Sequence, residues 1–160
     1  MKTYKAPWGT ALKVISGFLV LLTIGLVAGP LILPDVIPRF DSGWLLPVFV
    51  AALLPFMVLG YEVTEEAILI RRPFWKTRLS RKGLMSATVE PRAMSRSIRT
   101  CGNGGGFSFT GWYWKSGMGT FRAYVTDLDR TVVLRFEKRT VVVSPGEPED
   151  FVDALSKGNG

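Results

Sequence analysis

The chain has 160 residues, a formal net charge of +7, 48% hydrophobic residues, one cysteine and no histidine. One thiol cannot form an internal disulfide, and without histidine most zinc sites and the Ser-His and Cys-His nucleophile systems are improbable. The length allows one ordinary domain, or a membrane segment followed by a small domain.

The first apolar segment carries no charged residue from Val14 to Leu33. About 20 helical residues cross a hydrocarbon core of about 30 Å, so we predict a transmembrane helix at about residues 12–33. A cleaved signal peptide is the alternative, because Lys2, Lys5 and Lys13 resemble its charged start. We favour an anchor, because no A-x-A-like cleavage site is present and a second apolar segment follows.

That second segment is uncharged from Ser42 to Tyr61 and predicts another transmembrane helix, at about residues 44–60. Trp44 and Tyr61 at its ends suit the interfacial belt, and proline within it is tolerated in a bilayer. A buried core helix or a re-entrant segment is the alternative. We therefore predict a two-helix transmembrane hairpin over residues 1–60, with a polar domain over residues 61–160.

The distribution of lysine and arginine predicts the orientation of this hairpin. The connecting loop, Pro34 to Gly43, contains one cation, Arg39, which is offset by two aspartates, whereas both flanks are basic. We therefore expect an integral protein of the cell (inner) membrane with both termini cytoplasmic. Neither apolar segment contains an ionisable residue, which favours an anchor over a channel or pump.

The polar half consists of short segments rich in β-branched and aromatic residues, separated by turn residues. Strands of this length with frequent turns indicate a closed or nearly closed antiparallel β-structure. One tight turn is predicted at Thr64-Glu65-Glu66. The predicted strands are 61–63, 67–72, 74–79, 86–90, 96–101, 121–125, 131–136 and 140–143, with a further strand in the alternating residues after Gly106.

The C-terminal segment predicts one amphipathic helix at about residues 147–157. Pro148 suits a first helical turn, and the acidic residues around it suit the positive end of the helix dipole. Phe151 and Leu155 lie four residues apart and define an apolar face. Such a helix can cover the open end of a small barrel.

Three stretches carry a family resemblance: FSFTGWYW, GTFRAYVTD and TVVVSPGEPEDFVDAL. Together they resemble bacterial pleckstrin-homology-like (PH) domains, in particular a small membrane-anchored family, over roughly Tyr61 to Leu155. The resemblance implies an all-β PH-like barrel with a C-terminal capping α-helix and a non-catalytic role. Many PH domains grip inositol phosphates with basic residues in their first hairpin loop. Here that loop holds Thr64-Glu65-Glu66, so phosphoinositide binding is not expected.

The glycine-rich stretch after Cys101 is a weak candidate for a phosphate loop. Such a loop needs a lysine and a hydroxyl after its last glycine, at the start of a helix, whereas the alternating Phe107-Ser108-Phe109-Thr110 here predicts a strand. We interpret Gly102 to Gly106 as a loop that needs positive φ or close backbone approach, leading into the hairpin of a small β-domain. The favoured interpretation of the next aromatic residues places Trp112 and Trp114 in the core and Tyr113 outside. Contact of all three with a membrane or a protein is the alternative.

A basic stretch follows the second apolar segment and is the candidate surface for membrane or partner contact. The positive-inside signal plus a solvated face would explain the same charges, and nucleic-acid binding is not expected. The candidate residues are Arg71, Arg72, Lys76, Arg78, Arg81 and Lys82.

We predict a membrane-anchored, non-catalytic binding or scaffolding module at the cytoplasmic membrane face. Its partners would be membrane lipids through the hairpin, and anionic headgroups or a membrane protein through the domain. The alternative is a structural accessory subunit of a larger membrane assembly. The available carboxylates form no recognised catalytic pair, and we expect no catalytic, cofactor-binding or metal-binding residues.

Overall fold

A computed structural model describes residues 1–32 and 44–157 of the chain. The predicted connecting loop, Pro34 to Gly43, and the last residue predicted for the first helix lie outside the described residues. The helices are α1 (Thr10–Ile32), α2 (Leu45–Leu53), which continues as a 3₁₀ turn (Leu54–Phe56), and α3 (Pro148–Ser156). The strands are β1 (Lys2–Lys5), β2 (Gly60–Val63), β3 (Ala67–Arg71), β4 (Lys76–Ser80), β5 (Leu84–Val89), β6 (Ile98–Gly104), β7 (Phe109–Lys115), β8 (Gly119–Val125), β9 (Val132–Phe136) and β10 (Thr140–Val143).

The first sheet is antiparallel, with the order β1-β2-β3-β4. The predicted tight turn between β2 and β3 is present, because the Thr64 backbone N–H donates to Ala67 O at 2.9 Å. The Thr64 hydroxyl accepts from the Ala67 N–H at 3.0 Å and fixes the same turn. At the opposite end of the sheet, Arg72 N–H donates to Trp75 O and closes the turn from β3 to β4.

The second sheet has the order β5-β9-β10-β8-β7-β6. Strand β10 pairs in parallel with β8, with Thr140 opposite Phe121, so the prediction of a wholly antiparallel structure is wrong at this position. Strand β10 suits the middle of the sheet because it is apolar on both faces. Val141 and Val143 face one hydrophobic core, and Val142 faces another.

The two sheets pack face to face over the main core, but the predicted closed barrel is not supported. Strands β1 to β4 form one sheet and β5 to β10 another, and Trp112 and Trp114 of β7 remain exposed. The main core contains Tyr4, Val58, Tyr61, Val63, Ile68, Ile70, Leu79, Tyr124, Val132, Leu134, Phe136, Val141, Val143, Phe151 and Leu155.

Helix α3 follows the prediction closely. Pro148 occupies its first turn, Glu149 and Asp150 are also in that turn, and the helix ends at Ser156. Phe151 and Leu155 are buried in the main core, as their spacing predicts. The helix packs against β5 and β2 and so covers one end of the space between the sheets.

Helix α1 is the one described helix that is long and apolar enough to cross a membrane. The second predicted transmembrane helix is not supported at its predicted length, because the helical residues run only from Leu45 to Phe56. Pro55 has no backbone N–H, so the α-helix ends and a 3₁₀ turn follows it. The chain then enters β2 at Gly60, within the range predicted as helix.

The base of α1 is attached to the second sheet. Leu12 is fully buried in a second core on the far face of that sheet, with Phe109, Tyr113 and Phe121. One turn later the Ser16 hydroxyl donates to Gly105 O at 3.2 Å and accepts from the Phe107 N–H at 3.0 Å. These contacts fix where the apolar helix leaves the β-domain.

Strand β1 was not predicted from the sequence. It precedes α1, yet it pairs with β2, with Lys5 opposite Gly60. Its Tyr4 ring packs edge-on against Phe151 at a centroid distance of 5.1 Å, and its hydroxyl donates to Asp150 Oδ2 at 2.8 Å. The first residues of the chain therefore belong to the first sheet.

Candidate functional site

A cleft of about 650 Å³ opens between the two sheets at the end where the apolar helices join them. The turn between β3 and β4 contributes Arg72 and Trp75, and β8 contributes Arg122. Helices α1 and α2 form an apolar wall that includes Leu19 and Leu53. The cleft thus has a cationic side and a hydrocarbon-like side.

Bare backbone forms the floor of the cleft, because glycines face one another across β6 and β7. Gly102 and Gly111 are register partners with φ of 116° and 148°, which side-chain-bearing residues rarely adopt. A Cβ on Gly102 would lie 2.6 Å from Gly111 Cα. The prediction of positive φ and close backbone approach is confirmed for Gly102, which lies within strand β6 rather than in a loop.

Arg72 is the most enclosed cation in the cleft, with 8% of its surface exposed. Its Nη1 donates to Phe56 O at 3.1 Å, and its guanidinium carbon lies 5.4 Å from the centroid of the Tyr124 ring and 5.7 Å from that of Trp75. Among the described residues its buried Nε has no hydrogen-bond partner. Burial lowers the pKa of Arg72, and the nearby Arg122 guanidinium lowers it further.

Arg122 and Arg99 complete the cationic side. The Arg122 guanidinium lies 5.2 Å from the Tyr124 centroid, so one aromatic ring contacts both Arg72 and Arg122. Arg99 lies against the floor, where a Cβ on Gly104 would be 2.9 Å from its Cζ. Within the part of the chain that the structure describes, none of these arginines forms an ion pair, and no acidic side chain lines the cleft.

The other predicted basic residues have different surroundings. Arg71 and Lys76 flank Glu62, with nitrogen-to-oxygen distances of 3.4 and 2.8 Å. Glu62 is buried, so it offsets both cations on the outer face of the first sheet. The cations nearest to Arg72 in sequence are therefore compensated, whereas Arg72 is not.

The last three predicted basic residues lie toward the opposite end of the first sheet. Arg78 pairs with Glu66 at 2.8 Å, and Lys82 is exposed. Arg81 is buried and donates to Leu155 O, so it caps the C-terminal end of α3. The structure thus divides the predicted basic surface, and only Arg72 of the six reaches the cleft.

The three aromatic residues Trp112, Tyr113 and Trp114 face the opposite sides of β7 from those that the favoured interpretation gives them. Tyr113 is buried, its ring stacks on Phe121 at a centroid distance of 5.8 Å, and its hydroxyl donates to Asn103 O. Trp112 and Trp114 are 43% and 45% exposed, so placing them in the core was wrong. The guanidinium of Arg122, which lines the cleft, instead lies 5.5 Å from the centroid of the Trp112 ring.

Sequence reasoning missed Arg99, Arg122 and Trp75 as site residues. The alternation of GTFRAYV does place Arg122 on the face opposite Phe121. Its approach to Arg72, however, depends on how the two sheets pack, which no local pattern reports. No cluster of three or more His, Cys, Asp or Glu side chains that could hold a metal is found in residues 1–32 and 44–157.

Residues 59–158 match the family described as "Bacterial PH domain", a range that includes β2 to β10 and α3. No curated protein and no solved structure matches the chain. Because the family match covers well over half of the chain, the protein belongs to the bacterial PH domain family.

Proposed function

We propose that the protein is a membrane-anchored, non-catalytic binding module that holds its PH domain at the cytoplasmic face of the cell membrane. The observation that carries this proposal is the exposed apolar surface of α1. Phe18, Leu21 and Leu31 are each more than 60% exposed on a helix without a charge beyond Lys13. Water is an unfavourable solvent for such a surface, at about 25 cal/mol per Å², whereas lipid accepts it.

The attachment of α1 to the domain supports an anchor over a cleaved signal peptide. Cleavage after α1 would remove β1 from the first sheet and Leu12 from the second core. It would also remove Tyr4, which packs on α3. A segment with these contacts is expected to remain in the mature protein.

The ends of the apolar segment support a common side for the N-terminus and the domain. Lys5 and Gly60 are register partners, so the chain between them starts and finishes at the same sheet. The basic flanks assign that side to the cytoplasm by the positive-inside rule. We propose that α2, with exposed Trp44 and Leu45 at its start, enters the bilayer beside α1 as a shorter second arm.

The character of the cleft supports binding rather than catalysis. PH domains are generally non-catalytic binding modules. The cleft combines arginines with aromatic and apolar side chains, and none of the described residues that line it is a carboxylate. This composition can hold an anion or an amphiphile, and it lacks the paired acid and base that general acid–base chemistry uses.

A second candidate function is that of an accessory subunit in a membrane assembly. It is favoured by Gly17 and Gly25 of α1, where a Cβ would meet nothing within 4 Å. Small residues on an open helix face allow another transmembrane helix to approach closely. In that case the chain would co-purify with a second membrane protein in mild detergent. A consistently monomeric chain would count against the accessory-subunit function.

The single cysteine provides a direct test of the anchor and its orientation, because Cys101 is exposed on β6. The full chain is expressed, membranes are isolated, and a membrane-impermeant maleimide is added to intact spheroplasts or to lysed membranes. We expect the protein in the carbonate-washed pellet and labelling only after lysis, with Cys101→Ser as the unlabelled control. Recovery in the supernatant would refute the anchor, and labelling of intact spheroplasts would refute the orientation.

A further inference from the structure

The cationic side of the cleft lacks a counter-ion. Arg72, Arg99 and Arg122 line one cavity, and the described residues around them include no carboxylate. Elsewhere in the same basic stretch, Glu62 and Glu66 compensate their neighbours. Like charges held together in a half-enclosed space repel, and an anion bound between them would relieve that repulsion.

Guanidinium groups select a particular kind of anion. Their planar donors match the oxygens of phosphate, and each charge-assisted hydrogen bond is stronger than a neutral one. Arg72 still has an unpartnered buried Nε, and the ring of Tyr124 holds its guanidinium close to that of Arg122. The two guanidinium groups are therefore oriented before any ligand arrives.

The opposite wall of the cleft is apolar and continues into the proposed anchor. Ile15 and Leu19 of α1 and Phe49 and Leu53 of α2 line it. Farther along α1, exposed Leu21 and Leu22 continue the apolar surface away from the domain. A ligand that fills both sides must have an anionic head and a hydrocarbon chain.

We propose that this cleft binds the phosphate of an anionic phospholipid, with its acyl chains lying along α1 and α2. This assignment deepens the proposed function and rests on it. The phosphate lies among Arg72, Arg99 and Arg122, and Trp75 and Trp112 lie at headgroup level, where tryptophan is favoured. The site is at the opposite end of the first sheet from the Thr64-Glu65-Glu66 turn.

The same geometry disfavours zwitterionic lipids. A choline or ethanolamine headgroup brings a cation next to its phosphate, and that cation would enter a cleft with three arginines and no described carboxylate. Like-charge placement of this kind lowers affinity for the wrong ligand. We therefore expect phosphatidylglycerol to bind and phosphatidylcholine with the same acyl chains to bind poorly.

The test is a lipid titration of the full chain in mild detergent, followed by native mass spectrometry. The probes are phosphatidylglycerol, phosphatidylcholine and glycerol 3-phosphate, which carries the phosphate without the chains. Arg122→Gln and Arg99→Gln each remove one exposed cleft charge, and Thr77→Phe fills the cleft without changing charge. The matched control is Arg135→Gln, which removes one exposed charge from β9, away from the cleft.

We expect phosphatidylglycerol to bind at least about tenfold more tightly than phosphatidylcholine or glycerol 3-phosphate, and Arg122→Gln and Arg99→Gln to weaken that binding about tenfold each. Thr77→Phe should weaken it similarly, and Arg135→Gln should leave it unchanged. Equal affinity in the cleft variants and the control would overturn the proposal, as would equal binding of phosphatidylcholine or of glycerol 3-phosphate.

Membrane fractionation of the same variants separates this proposal from the anchor. If the wild-type chain stays in the membrane pellet but shows no lipid selectivity, the lipid site is refuted and the proposed anchor is retained. If the chain is found in the supernatant yet binds phosphatidylglycerol selectively, the anchor is refuted and the lipid site is retained. Circular dichroism of each variant confirms that the fold is retained.

Discussion

The hydroxyl of Tyr61 joins the two sheets inside the main core, and its removal gives the sharpest prediction for the fold. Tyr61 is fully buried. Its hydroxyl donates to Tyr124 O at 2.6 Å and accepts from the Ser144 N–H at 3.1 Å. Tyr61→Phe keeps the ring in the core but leaves both backbone groups without this partner.

The expected loss follows from those two bonds. A buried hydrogen bond contributes about 1 kcal/mol net, and an orphaned buried group loses about 1–3 kcal/mol. For Tyr61→Phe we therefore expect the free energy of unfolding to fall by about 2–3 kcal/mol. For a chain of this size that corresponds to a decrease in Tm of about 5–10 °C.

Tyr124→Phe is the matched control, because the Tyr124 hydroxyl is buried and has no partner among the described residues. Its removal deletes an unsatisfied polar atom and keeps the ring between Arg72 and Arg122. We expect its stability to be unchanged or slightly increased. The assay is thermal and urea unfolding of the full chain in detergent, followed by near-ultraviolet circular dichroism. If both variants lost the same stability, the assigned bonds would not be the cause.

Three further predictions concern the attachment of α1 and the pH dependence of stability. Ser16→Ala removes the acceptor for the Phe107 N–H, so hydrogen exchange of that amide should accelerate about tenfold, and unchanged exchange would contradict the contact. Hydrogen bonds from Lys2 and Tyr4 lower the pKa of Asp150 below its ordinary 3.8, so its contribution is present above that value and is lost as pH falls through the lower, folded-state pKa. In urea unfolding at pH 2–5, Asp150→Asn should lack this acid-induced loss of stability. A pH profile that matches the wild type would argue against the hydrogen bonds of Lys2 and Tyr4 to Asp150 as its cause. Burial raises the pKa of Tyr61 from 10.0 to about 12, so the folded state retains the proton more tightly and stability should fall as pH rises from 10 to 12, with a shallower fall in Tyr61→Phe.

Most of the β-domain could be predicted because its signals are local. Alternation and turn residues identified the strands from 60 to 143, and Pro148 with the spacing of Phe151 and Leu155 identified α3. Each of these elements contains the cause of its own conformation within a few residues. The resemblance to bacterial PH domains rested on the same local features, and the family match over residues 59–158 confirms that resemblance.

The elements that could not be predicted depend on distant partners. Strand β1 has four residues, two of them lysines, and its partner β2 begins more than fifty residues later. The parallel pairing of β10 with β8 is likewise set by where β10 is inserted, not by its own pattern.

The cleft was hidden for the same reason. Arg72 lies in the β3–β4 turn of the first sheet and Arg122 on β8 of the second, and both contact the Tyr124 ring. The basic stretch was visible in the sequence, but ion pairs with Glu62 and Glu66 decide which of its charges remain uncompensated. The phase of the Trp112 to Trp114 alternation needed the packing of Tyr113 on Phe121 to resolve it.

The pairing of β1 with β2 constrains the order in which the chain acquires its structure. During synthesis β1 leaves the ribosome before β2, and β2 appears only after the two apolar segments between them have been made. At a synthesis rate of about 5–20 residues per second, β1 is unpaired for about 3–11 s before β2 has been made. The first sheet can therefore form only after the apolar segments that separate β1 from β2 have been made.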